Sequence, residues 1–233
     1  MNNLSEFLKN SFKKRFVINL DRRKDRYNDF LKRIPFDSDV CERFSAIDGK
    51  KIKDFNHKDN PYVIGCHLSH KNILNLVVID ETIKDDDIIL IFEDDVFFST
   101  SFDVEIKKLV NFLKKLDKIN YLVYIGGRFT QKFEPSSIKS WSKVIDNIYL
   151  KNFSNNDSYN SYDYDRTTNV IILSKYTCRE ILDKTINVST SKAIDTLYNG
   201  IKKYIPDIEI YDVFPHLCYS PLNYMTDIQN YKR

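Results

Sequence analysis

The run from Ile88 to Phe92, IILIF, leads straight into Glu93, Asp94 and Asp95. Adjacent carboxylates at the end of a buried strand repel one another and lose solvation unless a cation or water offsets their charge. The carboxyl edge of a parallel α/β sheet is also where such folds hold ligands. A hard divalent ion, Mg2+ or Mn2+, takes oxygen ligands of this kind. Bound there, it would bridge nucleotide phosphates and offset charge on a leaving diphosphate. A solvated acidic turn fits the same letters, so the residues alone leave both readings open. Asp85, Asp86 and Asp87, at the other end of the run, read as a solvated stretch.

Arg22, Arg23 and Arg26 follow another apolar run, RFVINL, and open a helical pattern. Arg22 and Arg26 have i, i+4 spacing and share a face. Guanidinium forks match phosphate oxygens, and a helix start adds partial positive charge. An exposed charged first turn is the plainer alternative. In IGCHLSH, Gly65 permits a close approach of the chain as it enters a helix, and Ser69 and His70 offer hydrogen bonds to a ligand. His67 and His70 are three apart, but no third ligand nearby in sequence supports zinc. Asp195 reads either as a first-turn helix residue or as a catalytic base. His216 reads either as a core histidine or as a late metal ligand beside the carboxylates.

Composition limits what these groups can serve. The chain has 233 residues, 42% of them hydrophobic, enough for a real core in one large domain. Its net charge of +3 comes from 36 basic and 33 acidic residues, without the basic excess of a nucleic-acid binder. The 5 glycines form neither G-x-G-x-x-G nor a Walker A loop, so phosphate must be held by another device. Cys41, Cys66, Cys178 and Cys218 show no C-x-x-C pairing and read as free, mostly buried thiols of a reducing compartment. The N-terminus lacks a signal-peptide pattern, and no apolar run approaches the ~20 residues of a membrane span. Heavy use of Lys, Ile, Asn, Tyr and Phe suits an AT-rich genome, a giant virus being one such source.

The elements that must position these groups alternate. Residues 1–14 read as an N-terminal helical extension and 15–233 as a single domain. Strands are expected at 15–20, 42–47 (ending in a turn at Asp48 and Gly49), 88–92, 121–125, 168–173 and 208–214. Helices are expected at 21–34, 65–80, 103–118, 175–184 and 193–204, with loops over 50–61, 130–147 and 153–165. IYLKN, between those last two loops, reads as an edge strand. The alternation predicts an α/β sandwich, a mainly parallel central sheet flanked by helices.

Taken in order, FVINLDRRKDR, FSAIDG, IGCHLSH, ILIFEDDV, YIGG, TTNVIILS, AIDTLY and FPHLCYSPLNYMTDIQ resemble glycosyltransferase family 25. That is the family of bacterial lipooligosaccharide and collagen hydroxylysine galactosyltransferases. The resemblance implies a GT-A-type, Rossmann-like fold, a UDP-sugar donor, Mn2+ (or Mg2+) and transfer of galactose or glucose with inversion. It places Asn19, Leu20, Arg22 and Arg26 in the nucleotide pocket, closed by Asp48 and Gly49, with Ser69 and His70 beside the donor. It assigns Asp94 to the nucleotide sugar, Glu93, Asp95 and His216 to the metal, and Asp195 to the role of base. The acceptor would be a glycan or a hydroxylysine-type group. Thr167, Thr168 and Asn169 depart from the family's pattern, as does the lead-in Asn60-Pro61-Tyr62-Val63, so the acceptor side transfers least. The expected location is cytoplasmic, at a membrane surface or in an infected host's cytoplasm, and pairing of two copies stays open. A phosphatase of the haloacid-dehalogenase type is disfavoured, because Glu93 stands where its nucleophilic Asp would be. A non-catalytic nucleotide- or glycan-binding relative is the remaining alternative.

Overall fold

The computed structural model describes residues 3–52, 60–128, 141–152 and 167–221. The strands are β1 (Lys14–Asn19), β2 (Glu42–Ser45), β3 (Ile88–Glu93), β4 (Phe97–Phe98), β5 (Tyr121–Tyr124) and β6 (Gly126–Arg128). They continue as β7 (Trp141–Ile145), β8 (Ile148–Lys151), β9 (Val170–Ser174), β10 (Glu209–Val213) and β11 (Cys218–Ser220). The helices are α1 (Asn3–Ser11), α2 (Lys24–Arg33), α3 (Pro61–Ile79), α4 (Phe102–Leu113), α5 (Lys175–Lys184) and α6 (Ile194–Asn199).

Eight strands form one sheet in the order β2-β1-β3-β9-β5-β10-β8-β7, and β4-β11-β6 make a small second sheet. The continuous apolar run of β3 is explained by its central place. Ile89, Leu90, Ile91 and Phe92 are each 0% exposed. Alternate residues serve opposite faces. Leu90 and Phe92 pack with α1, α2 and α4 through Leu8, Phe30 and Ile106. Ile89 and Ile91 pack with α3, α5 and α6 through Ile73, Ile181 and Leu197. Helices therefore cover both faces, as expected of an α/β sandwich. Leu4, Leu8 and Phe12 of the N-terminal stretch belong to the first of these cores.

The sheet is mixed rather than mainly parallel. The pairs β1–β2, β1–β3 and β5–β10 run parallel. β9 runs antiparallel to both β3 and β5, and β8 antiparallel to both β10 and β7. Parallel neighbours need a crossover, usually a helix. Among the described residues between β5 and β9 there is no helix, only β6 and the β7–β8 hairpin. That hairpin also makes β7 the edge, so IYLKN pairs on both sides. Of the loop expected at 130–147, residues 141–145 are strand, and 130–140 lie outside the described residues, as does the loop at 153–165.

One helix starts earlier than its apolar pattern. Asn60 caps α3, its side chain accepting from the Tyr62 amide, and Pro61 occupies the first turn. Gly65 therefore lies within the helix. A Cβ there would sit 2.5 Å from the Ile47 carbonyl oxygen and 2.8 Å from the Gly49 amide nitrogen. The glycine lets the chain after β2 lie directly on α3.

Candidate active site

The register of β1 against β3 sets Ile18 opposite Glu93. The next residues, Asn19 and Asp94, thus reach the same edge of the sheet and meet. Asn19 Nδ2 donates to Asp94 Oδ2 at 2.6 Å. Arg26, in the first turns of α2, pairs with Asp94 and lies 3.4 Å from Asp95 Oδ2. All four side chains are buried. Arg33, two turns further on, donates from Nη2 to the Asp94 carbonyl at 2.9 Å and from Nε to the Val96 carbonyl at 3.0 Å. Arg43 donates to Asn19 Oδ1 at 2.9 Å. The acidic turn is thus a clamped, buried network and not a solvated loop.

Its three carboxylates differ electrostatically. Burial pushes Asp94 up, and Arg26 and Asn19 pull against it. Asp95 is pushed up to about 7, by burial first and by the Glu93 charge second. Glu93 moves the other way: burial would raise it, but the His70 hydrogen bond and the Thr168 hydroxyl hold it below the usual carboxylate range. His70 Nε2 donates to Glu93 Oε1 at 3.0 Å and Thr168 Oγ1 donates to the same oxygen at 2.9 Å. Ser220, from β11, donates to Asp95 Oδ1 at 3.2 Å.

A cleft opens over this network. Asn19, Leu20, Arg26, Ser69, Glu93, Asp94, Asp95 and Asp195 all line it. Asp195 sits in the first turn of α6, its Oδ1 accepting from the Thr196 amide at 2.6 Å. The loop before α6 is tied to α3, since His67 Nδ1 donates to the Lys192 carbonyl at 2.7 Å. His67 Nδ1 is thereby engaged by that loop, and among the described residues the ligand group around His70 is Cys66 and Glu93, without His67.

Other expected residues act behind the cleft or beside it. Arg22 turns to Asp48, its Nε donating to Oδ2 at 2.9 Å, while Arg23 joins Arg26 in the wall. Asp48 caps the short turn at Gly49–Lys51, and Gly49 packs against the start of α3. Ser69 lines the cleft, but its hydroxyl is spent on backbone, accepting from the Ile47 amide at 2.9 Å and donating to the Gly65 carbonyl at 2.6 Å. His70 stands behind Glu93, not in the wall. His216 lies 3.6 Å from Asp212 Oδ1 and is not among the lining residues. The imidazole brought to the Glu93 carboxylate is that of His70.

Sequence reasoning missed several lining residues. Tyr62, Cys66 and Ile194 carry no pattern that separates them from core positions. Thr167, Thr168 and Asn169 stood out in the sequence as a departure from the family's pattern, with no role attached; all three line the cleft, and Thr168 and Asn169 are buried.

A family model described as glycosyltransferase family 25 (LPS biosynthesis protein) matches residues 12–198. Procollagen galactosyltransferase 2 of Mus musculus is 32% identical over 146 residues, covering 54% of this chain and 23% of that protein. Procollagen galactosyltransferase 2 of Homo sapiens is 30% identical over 145 residues, covering 54% of this chain and 22% of that protein. The chain thus matches under a quarter of the length of these curated relatives. Among solved structures, mannose-1-phosphate geranyltransferase from Thermus thermophilus is similar at a TM-score of 0.41 and 11% identity, over 91% of this chain and 64% of that one. A likeness at that level carries no inference about chemistry.

Proposed function

The chain belongs to glycosyltransferase family 25, and from that premise we propose that it moves a hexose from a UDP-sugar to an acceptor hydroxyl with inversion, using a divalent cation. The observation that carries the proposal is the buried Asn19–Asp94–Arg26–Asp95 network, set in one cleft with Asp195. The names of the curated relatives support galactose as the sugar and a collagen-like acceptor, and glucose is the alternative donor. The description of the family model supports a lipopolysaccharide glycan instead as acceptor.

The donor set fits an oxygen-seeking cation such as Mn2+ or Mg2+. Asp94 and Asp95 are buried and share the guanidinium of Arg26. Burial and Glu93 press Asp95 toward its neutral form, and a cation would relieve that excess of negative charge. Asp95 would hold it from the cleft wall. When bound, such an ion supplies charge neutralisation to a diphosphate leaving group.

The chain's own residues perform the remaining work. Arg23 and Arg26 stabilise negative charge growing on the diphosphate. Asp195 takes the proton of the acceptor hydroxyl as its oxygen attacks the anomeric carbon. A new carbon–oxygen bond forms on one face, and the bond to the diphosphate oxygen breaks on the other. Its electron pair leaves with UDP, so the anomeric configuration inverts.

The test is a panel of nucleotide sugars with Mn2+, offered with collagen-like and lipooligosaccharide acceptors, reading released nucleotide. Release of UDP from UDP-galactose or UDP-glucose is expected. No release from any donor with any acceptor would overturn the proposal.

A further inference from the structure

Sequence spacing offers His70 no third metal partner, but the fold supplies one. Cys66 and His70 lie four apart on α3 and share one helix face. β3 brings Glu93 to that face from 23 residues away in sequence. His70 Nε2 is 3.0 Å from Glu93 Oε1, and Cys66 Sγ is 3.9 Å from the same oxygen. All three ligand atoms lie within 4.8 Å of one another. The ring of Tyr198 meets His70 edge to face at 6.0 Å.

We infer that Cys66, His70 and Glu93 form a binding site for a borderline-soft divalent ion of the Zn2+ class, distinct in ligand chemistry from the oxygen-bound cation proposed at Asp95. A tetrahedral ion with Zn–N and Zn–O near ~2.0 Å and Zn–S near ~2.3 Å has ligand-to-ligand edges of roughly 3.3–3.6 Å. The observed 3.0 and 3.9 Å bracket that range, so small side-chain shifts admit the ion. One sulfur, one imidazole and one carboxylate suit Zn2+ or Co2+ better than Mn2+ or Mg2+. Three protein ligands leave a fourth position for water, and Cys66 and Glu93 open it to the cleft.

Binding exchanges protons and involves no redox change. The Cys66 thiol loses its proton to solvent as the S–metal bond forms. The single ring proton of neutral His70 moves from Nε2 to Nδ1 by exchange with solvent as the metal takes Nε2, so the ring neither gains nor loses a net proton. Nδ1 has no hydrogen-bond partner among the described residues. A ligating histidine normally donates its second N–H to an acceptor, so this site binds more weakly than a structural zinc centre.

Co2+ titrated into the full chain tests this without any sugar nucleotide, so its outcome is separate from that of the glycosyl-transfer proposal. Expected is a near-ultraviolet thiolate-to-cobalt charge-transfer band that saturates at one equivalent and is lost when Zn2+ is added. The band should disappear in Cys66→Ser and persist in Cys41→Ser. A band retained by Cys66→Ser, or cobalt uptake with no such band, would overturn the inference. If Cys66→Ser fails to fold, X-ray absorption of the zinc-loaded wild-type chain decides: one sulfur at ~2.3 Å is expected, and an all-nitrogen-and-oxygen shell, or no zinc uptake, would sink it.

Discussion

Asn19 Nδ2 lies 2.6 Å from Asp94 Oδ2, and this hydrogen bond joins the ends of two parallel neighbours, β1 and β3, where the cleft opens. Arg26 closes the network from α2. Removing one partner of a buried ion pair leaves an uncompensated charge, so Arg26→Ala should cost about 3–5 kcal/mol of stability. Asn19→Ala should cost about 1–3 kcal/mol, the range for a buried acceptor losing a donor. Denaturant unfolding measures both. Midpoints equal to wild type would show that the network does not support the fold.

Asp195→Asn removes the proposed base and keeps the shape of the side chain. Turnover should fall by about 100- to 10,000-fold, while binding of the nucleotide sugar, read by calorimetry, stays within a few-fold. Full retained activity would end the assignment of Asp195.

Removal of divalent ions by a chelator should abolish transfer, and added Mn2+ should restore it. Asp95→Ala should show the same loss without restoration by Mn2+, because the proposed oxygen ligand is gone. The readout in both cases is released nucleotide. A chelator-resistant rate would remove the cation from the proposed reaction.

Gly49→Ala places a Cβ 1.6 Å from the Pro61 carbonyl oxygen and 2.5 Å from its carbon. Both are backbone atoms at the capped start of α3 and cannot rotate aside. Overpacking typically costs about 1–3 kcal/mol, and a backbone clash belongs at or above the top of that range. A lowered melting temperature is expected. An unchanged melt would mean that the turn after Asp48 moves freely off the helix.

Burial pushes the Cys41 thiol from 9.0 up to about 12, despite the opposing pull of Arg15. The folded state then binds more protons than the unfolded chain between those two values. Its contribution to stability is therefore full below pH 9.0 and is lost as pH rises toward about 12. Cys178 and Cys218 are raised by burial in the same sense. Unfolding free energy should decline through this alkaline window, and thiol reagents at pH 8 should label the fully buried Cys178 and Cys218 far faster in denaturant than in the native protein, with a smaller contrast at half-buried Cys41. Equal labelling rates in the two states would contradict the buried placement.

Local chemistry made much of the molecule legible in the sequence. A five-residue apolar run suits a strand covered on both faces, and Ile88–Phe92 lies in such a strand. Helical spacing of apolar residues marked α1, α2 and α5, because one buried stripe suffices to show their period. The start of α3 and the strand β7 were less legible. The first turn of α3 is set by a cap and a proline, not by its apolar spacing. β7 has one buried residue followed by exposed ones, with no alternation to read.

Which groups share the site was decided only by tertiary structure. The family resemblance placed Arg22 in the pocket, but Arg22 pairs with Asp48 and it is Arg23 that joins Arg26 in the wall. Residue spacing left His70 without a third ligand and His216 open between a core and a metal-ligand role, whereas strand pairing brings Glu93 to His70 and His216 lies beside Asp212 of β10. Alternation along one strand is a short-range property that a sequence displays. Register between strands 75 residues apart, which sets Asn19 against Asp94, is a property of the sheet and exists only once the chain has closed on itself.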